Sequence, residues 1–129
     1  MTILLDTHAL HWWATEPERI GAAAADALTA EAELAVAAAT WFELAWLVRT
    51  GRIATTIPLR TLIANLAHEV RTMPLTPSIA VAAAELPDPF PADPADRQIY
   101  ATALEHGLRL VTRDRRMHDF DTDGRIVLW

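Results

Sequence analysis

The chain has 129 residues, enough for one domain with a sizeable core, and 52% of them are hydrophobic. Its 11 basic and 17 acidic residues give a net charge of −6, which argues against a protein that holds nucleic acid by bulk charge alone. The absence of cysteine excludes disulfides and thiolate metal sites, and no apolar run approaches the ~20 residues of a membrane span. We therefore expect one cytoplasmic domain over residues 1–129, with no membrane segment.

The first predicted strand runs from Thr2 to Leu5, an apolar stretch typical of a strand that is buried on both faces. It ends at Asp6, and Thr7 to Ala14 is predicted as a short helix. The carboxyl end of a parallel strand is where open α/β sheets place their ligand-binding residues. Asp6 alone proves little, because Asp is also a favoured N-cap for the helix that follows it.

The rest of the chain alternates between predicted helices and strands. The predicted helices cover Ile20–Glu31, Thr40–Arg49, Leu59–Arg71, Pro77–Leu86 and the segment from Asp93 as N-cap to Gly107, and Asp114–Phe120 is predicted as a short helix or turn. The predicted strands cover Glu33–Ala38, Met73–Leu75, Arg109–Thr112 and Arg125–Trp129. This alternation predicts an α/β domain with a parallel sheet covered on both faces by helices.

Four acidic residues that are remote in sequence are predicted to meet at one edge of the sheet. Asp6 ends the first strand, and Glu43 lies in the first turns of the helix after the second strand. Asp96 lies in the first turn of the helix before the fourth strand, and Asp114 follows that strand. Strand carboxyl ends and helix amino ends share one edge in right-handed βαβ units, so these side chains are expected to converge.

Each of these acids also has a purely structural interpretation. Asp6 and Asp114 are candidate N-caps, and Asp96 with Asp93 has the spacing of a capping box. Glu43 is the only charged residue from Leu34 to Val48, in a helix that is apolar nearly all round and is therefore predicted to be buried. A buried carboxylate is costly unless a cation or donors meet it, and the alternative for Glu43 is a salt bridge to an arginine.

The residues around these acids suggest further contacts. Thr112 is a candidate to position a ligand, and Arg113, Arg115 and Arg116 form a cluster that either binds phosphate or is a solvated surface run. A carboxylate-rich site suits Mg²⁺ or Mn²⁺ better than zinc held by histidines. The candidate zinc ligands set aside on this ground are His8 and His11.

Four sequence blocks, in this order along the chain, resemble the PIN domain and, more narrowly, the VapC-type toxin ribonucleases of toxin–antitoxin modules. The blocks are Leu4–Leu10 (LLDTHAL), Thr40–Leu44 (TWFEL), Asp93–Ala103 (DPADRQIYATA) and Leu110–Asp114 (LVTRD). The resemblance implies a three-layer α/β/α sandwich around a mainly parallel sheet. It also implies that Asp6, Glu43, Asp96 and Asp114 form a catalytic quartet that binds Mg²⁺ or Mn²⁺.

The same resemblance implies partners and an activity. We expect an RNA substrate cut by metal-activated water, a VapB-type antitoxin that blocks the acidic site, and a homodimer. The chain departs from the family at Pro91-Ala92, where relatives often carry polar residues, so RNA contacts from the loop Pro87–Pro94 are not carried over.

Two other functions are compatible with the residues. One is a hydrolase of small phosphoesters with Asp6 as nucleophile, although His8 stands where the haloacid-dehalogenase pattern expects a second acid. The other is a non-catalytic, metal-free binding module, in which the acids only cap helices and pair with arginines. Phosphoenzyme trapping tests the first, and titration with divalent ions tests the second.

Overall fold

The computed structural model describes all residues from 1 to 129. Its strands are β1 (Thr2–Leu5), β2 (Glu33–Ala37), β3 (Arg71–Met73), β4 (Arg109–Val111) and β5 (Val127–Leu128). Its α-helices are α1 (Thr7–Thr15), α2 (Ala22–Ala27), α3 (Ala38–Arg49), α4 (Leu59–Glu69), α5 (Pro77–Ala84), α6 (Pro94–His106) and α7 (Arg115–Phe120), with a 3-10 turn at Pro17–Arg19. None of the helices has the length and apolar character needed to cross a bilayer.

The five strands form one sheet in the order β3-β2-β1-β4-β5, and every neighbouring pair is parallel. β1 therefore lies at the centre, with Leu4 opposite Ala35 of β2 on one side and Leu110 of β4 on the other. The chain leaves β1 toward β2 and returns later to β4, so the strand order reverses at β1. In open α/β sheets, ligands bind at the carboxyl edge beside such a reversal.

Two hydrophobic clusters cover the two faces of the sheet. Ile3 and Leu5 of β1 point into one cluster, together with Leu10 of α1, whereas Leu4 points into the other, with Ile99 of α6. Successive side chains of a strand point to opposite faces, which explains why a strand covered on both sides is apolar throughout. This arrangement confirms the predicted three-layer α/β/α sandwich.

The helix predicted between Asp93 and Gly107 is confirmed as α6. The Asp93 side chain accepts a hydrogen bond from the Asp96 N–H at the N-cap, and Pro94 occupies the first turn. Gly107 ends the helix in the left-handed region at φ +63°, where a residue without a Cβ is favoured.

Several element boundaries differ from the prediction, most clearly those of α2 and β3. The helix predicted over Ile20–Glu31 is reduced to α2, because the chain turns before it and again at Thr29, so that Glu33 can donate its N–H to the Met1 carbonyl at the start of β2. The third strand begins at Arg71 rather than Met73, because pairing with β2 places Arg71 opposite Ala35.

The expectation that α3 is a buried helix is wrong. Of its side chains only Thr40 and Leu44 are buried, while Phe42 is 73% exposed and Trp46 is 56% exposed. These two rings stack on each other, with centroids 6.2 Å apart. The apolar composition of α3 therefore reflects a narrow core-facing side together with an apolar surface.

Candidate metal centre

A cleft of about 440 Å³ opens at the carboxyl edge of the sheet, where β1 and β4 lie side by side. Nine residues line it: Asp6, Thr7, His8, Trp12, Glu43, Asp96, Arg113, Asp114 and Arg116. All four members of the predicted quartet are among them. The topology therefore brings together acids that stand up to 108 positions apart in the sequence, the separation of Asp6 and Asp114.

Asp6 lies at the base of the cleft, directly after β1. Its Oδ1 accepts a hydrogen bond of 2.8 Å from the Ala9 N–H, so Asp6 caps α1 as well as facing the cleft. Burial raises the pKa of Asp6, and a hydrogen bond from the buried Thr112 hydroxyl opposes that rise. The capping interpretation of Asp6 is thus correct and leaves the rest of its carboxylate facing the cleft.

Glu43 reaches the cleft from the second turn of α3. Its carboxylate accepts a hydrogen bond from the hydroxyl of Thr7, and no arginine pairs with it. Thr7 is buried in the first turn of α1, next to Thr40 of α3. Thr7 is a site residue that was not predicted from the sequence, where its one available signal was its position directly after Asp6.

Asp96 lies in the first turn of α6, close to Glu43 and Asp93. One carboxylate oxygen from each of these three residues lies within 4.8 Å of the others, a spacing that suits the shared coordination of a cation. Burial, followed by the negative charges of Asp93 and Glu43 and of the other cleft acids, raises the pKa of Asp96 to about 7. Asp96 makes no reciprocal capping bond, so its carboxylate remains available.

Arg97 holds in place the loop that precedes Asp93. The Arg97 guanidinium donates hydrogen bonds to the carbonyls of Ala83, Leu86 and Phe90, at 3.1, 2.9 and 3.5 Å. These bonds tie the end of α5 and the proline-rich loop to α6. The sequence predicts Asp93 as an N-cap, and this role alone gives no reason to expect it near the other acids.

Asp114 closes the cleft on the side of β4. Its Oδ1 caps α7 by accepting the N–H groups of Arg116 and Met117, and its own N–H donates to the Thr112 hydroxyl at 3.1 Å. Although burial acts in the opposite direction, the hydrogen bonds from the Arg116 side chain and backbone lower the pKa of Asp114. Like Asp6, Asp114 therefore combines capping with a position on the cleft.

The predicted arginine cluster divides into distinct environments. The Arg116 guanidinium lies 3.1 Å from Asp114 Oδ2 and 3.7 Å from Asp96 Oδ2, so it faces the acids. Arg113 lines the cleft beside Trp12, with its guanidinium carbon 5.9 Å from the ring centroid. Arg115 is exposed and does not line the cleft.

The chemistry of the donor set fits a hard divalent cation. The clustered donors are carboxylate oxygens, and Mg²⁺ and Mn²⁺ prefer oxygen ligands. The mutual repulsion expressed in the pKa of Asp96 is what a cation would relieve. The histidines stay outside this cluster, since His8 lies on the cleft wall and His11 lines a neighbouring cleft.

Comparison with known proteins gives one family and one close relative. Residues 3–123 match the PIN domain family. The chain is 51% identical over 128 residues to ribonuclease VapC22 of Mycobacterium tuberculosis (strain ATCC 25618 / H37Rv), which covers 99% of this chain and 98% of the relative.

Solved structures of other bacterial proteins share the fold. A toxin–antitoxin complex from Klebsiella pneumoniae contains a chain that superposes with a TM-score of 0.69 at 22% identity, covering 98% of this chain and 96% of that one. VapBC2 from Rickettsia felis, bound to a DNA fragment from its promoter, gives a TM-score of 0.71 at 12% identity, with 99% and 98% covered. At these identities the likeness concerns the fold.

Proposed function

The chain belongs to the PIN domain family and, within it, to the VapC ribonucleases, and from this membership we propose that it is a metal-dependent endoribonuclease that acts as the toxin of a toxin–antitoxin pair. The observation that carries the proposal is the convergence of Asp6, Glu43, Asp96 and Asp114 on one cleft at the carboxyl edge of the sheet. Glu43 neither caps a helix nor pairs with an arginine, which argues against the metal-free binding module.

We propose that Asp6, Glu43 and Asp96 hold Mg²⁺ or Mn²⁺, with Asp114 completing the site. A divalent ion bound there supplies Lewis acidity, which lowers the pKa of water and stabilises negative charge on the scissile phosphate. The protein's part is to hold its carboxylates in a fixed arrangement: Thr7 orients Glu43, and the neighbouring Thr112 hydroxyl lowers the pKa of Asp6.

Asp93 belongs to the same site in this proposal, in addition to the four acids predicted from the sequence. Its carboxylate oxygen shares the 4.8 Å cluster with Glu43 and Asp96 while it caps α6. It is therefore either an additional ligand or the group that keeps Asp96 in position, and both roles fix the acid from α6 relative to the acid from α3.

The cleavage experiment uses a labelled total-RNA pool and purified protein with Mg²⁺, with Mn²⁺ and with chelator. We expect discrete fragments that require metal and that vanish in Asp6→Asn and in Asp96→Asn, with both variants still folded. Full activity in either variant would remove that residue from the proposed site. Sequencing of the fragment ends then identifies the RNA that is cut.

We also propose a VapB-type antitoxin and a homodimer as partners, and the apolar surface beside the acidic cleft supports an interface. Phe42 and Trp46 line a groove of about 380 Å³ together with Pro94 and Gln98 of α6. A second groove on the α5 side shares Pro94 and Gln98, and exposed Leu75 lines it. Exposed apolar side chains that line neighbouring grooves in this way are typical of protein–protein contacts.

A further inference from the structure

A second polar cleft, of about 550 Å³, opens directly beside the acidic one. We call it the arginine cleft; its charged or titratable side chains are His8, His11, Glu16, Arg19 and Arg52. His8 and Trp12 line both clefts, so the two are continuous along one wall. A molecule that leaves the acidic cleft past Trp12 enters the arginine cleft.

Helix α1 forms the shared wall and determines the direction of this path. His8, His11, Trp12 and Thr15 are spaced i, i+3, i+4 and i+7, which places them on one face of the helix. Asp6 caps the amino end of the same helix. At a rise of 1.5 Å per residue, His11 lies about 7.5 Å along the axis from Asp6, roughly the rise of two nucleotides in a nucleic-acid strand.

Arg52 is held over the arginine cleft by a well-anchored turn. Gly51 ends α3 with φ +78°, and the N–H groups of Arg52 and Ile53 both donate to the Leu47 carbonyl, at 2.9 and 3.1 Å. Ile53 is 6% exposed and packs in the core, and this packing anchors the turn. The Arg52 guanidinium forms no ion pair, which leaves its charge available for a ligand.

Arg19 supplies the second permanent positive charge of the cleft. Its guanidinium carbon lies 4.5 Å from the centroid of the Trp12 ring, and its Nη1 lies 3.5 Å from Glu16 Oε2. The ring itself is 8% exposed and packs against Trp129, so Trp12 serves as a wall for arginines rather than as an open platform for a base. Arg113 approaches the same ring from the acidic side.

This charge distribution supplies the positive charge that an acidic ribonuclease needs to hold its RNA substrate. A chain of net charge −6 with an acidic cleft repels a polyanion, and only local cations can hold the strand near the acids. Arg113, Arg19 and Arg52 provide such cations in succession along the α1 wall. Guanidinium groups pair with phosphate oxygens through two parallel hydrogen bonds.

We propose that the arginine cleft binds the phosphodiester backbone of the RNA strand next to the scissile phosphate, with Arg52 and Arg19 as the phosphate contacts. The inference rests on the proposed ribonuclease function and adds to it a substrate subsite outside the acidic cleft. Binding through the backbone reads no base identity, so this subsite positions the strand and raises affinity without selecting a sequence.

The test measures binding of a labelled single-stranded RNA of about 12 nucleotides to Asp96→Asn protein over a series of salt concentrations. Each phosphate contact contributes about 0.7 to the slope of log K against log salt for a single strand. We expect Arg52→Gln to weaken binding several-fold and to reduce the slope by about 0.7, and Arg19→Gln with Arg52→Gln to reduce it by about 1.4. Arg60→Gln is the control, since Arg60 is exposed on α4 and lines neither cleft.

Cleavage by the otherwise unaltered protein gives the second readout. Arg52→Gln should raise KM for a long RNA with little change in kcat, and it should leave hydrolysis of a dinucleotide unchanged, because a dinucleotide contains only the scissile phosphate and offers no neighbouring phosphate to the arginine cleft. Equal loss on both substrates would mean that Arg52 only supports the fold, and would overturn the proposal.

Three other outcomes distinguish failure of this subsite from failure of the proposed function. If Arg52→Gln and Arg60→Gln bind RNA identically while the parent protein cuts RNA with metal, the subsite is wrong and the proposed function stands. If Arg52→Gln leaves RNA binding intact but weakens binding of polyglutamate, the cleft serves an acidic peptide instead, and the proposal fails. If the parent protein neither binds nor cuts RNA, the proposed function itself fails.

Discussion

The hydroxyl of Thr7 donates a hydrogen bond to the carboxylate of Glu43, and this contact joins the first turn of α1 to the second turn of α3. Thr7 follows Asp6 directly, so one chain segment supplies an acid to the cleft and also the group that fixes an acid from another helix. The contact spans 36 positions in the sequence. It makes the geometry of the acidic cleft depend on how α1 packs against α3.

Thr7→Val tests this dependence. Valine keeps the shape of the buried side chain but removes the donor, so Glu43 loses its only side-chain hydrogen bond and the freedom of its carboxylate increases. Loss of a group that orients a metal ligand typically lowers metal affinity by about 10–100-fold. We expect a loss near the lower end of that range for Mn²⁺, measured by calorimetry, with the free energy of unfolding reduced by about 1–2 kcal/mol.

Thr7→Ser is the matched control, because serine retains the hydroxyl. It should bind Mn²⁺ within a few-fold of the parent protein. Equal Mn²⁺ affinity in Thr7→Val and the parent protein would show that Glu43 is not a ligand, or that it needs no support from α1.

The pH dependence of stability provides a test of Asp96. Its pKa is raised from 3.8 to about 7 in the metal-free folded protein, so the folded state holds a proton that the unfolded state releases between those values. The contribution of Asp96 to stability is therefore full below about pH 4 and is lost as the pH rises through about 7. A shift of this size corresponds to a few kcal/mol at most, because solvent screens the partly exposed carboxylate.

Urea denaturation in chelator at a series of pH values measures the effect, with Asp96→Asn as the reference. The reference is needed because burial lowers the pKa of His11, which changes stability with pH in the opposite direction. We expect the parent protein to lose stability relative to Asp96→Asn as the pH rises, and saturating Mn²⁺ to abolish this loss, since the ion binds deprotonated ligands. A constant difference across the series would contradict the burial and crowding of Asp96.

Local signals explain which parts of the architecture were predictable. The N-cap Asp93, Pro94 and the terminal Gly107 mark α6 within the helix itself, and the parallel topology is enough to bring Asp6 and Asp114 to one edge. Thr7 and Arg97 were not predictable in the same way, because their partners lie on other segments and are set by packing.

The exposure of α3 shows a different limit. An apolar run in a helix predicts that the helix surface is covered. Composition does not show whether the protein's own core or another protein chain covers it. Phe42 and Trp46 belong to the second case in our proposal, whereas Leu44 belongs to the first. The Glu43 carboxylate, which lies between Phe42 and Leu44 in the sequence, is half-buried and accepts a hydrogen bond from a threonine hydroxyl rather than pairing with an arginine.

Phe42→Glu tests whether this surface forms the proposed homodimer. Because Phe42 is 73% exposed, the substitution should leave the fold intact while placing a charge in the contact. We expect a shift from dimer to monomer in sedimentation experiments, with little change in the melting temperature. Ile57→Glu is the control, since Ile57 is exposed in the segment before α4, away from the groove. A dimer that persists in Phe42→Glu would place the homodimer contact elsewhere.

Arg116→Gln tests how the cleft balances its own charge. The guanidinium lies between Asp114 and Asp96 and supplies positive charge where a divalent ion would supply more, so its removal should favour the ion. We expect a modest increase in Mn²⁺ affinity and a rise in the pKa of Asp114. Because the Arg116 side chain is 64% exposed, the free energy of unfolding should change by less than about 1 kcal/mol.

Arg115→Gln is the matched control, since it removes the same charge from a neighbouring exposed position outside the cleft. Weaker Mn²⁺ binding in Arg116→Gln than in Arg115→Gln would mean that the guanidinium organises the acids for the ion rather than competing with it.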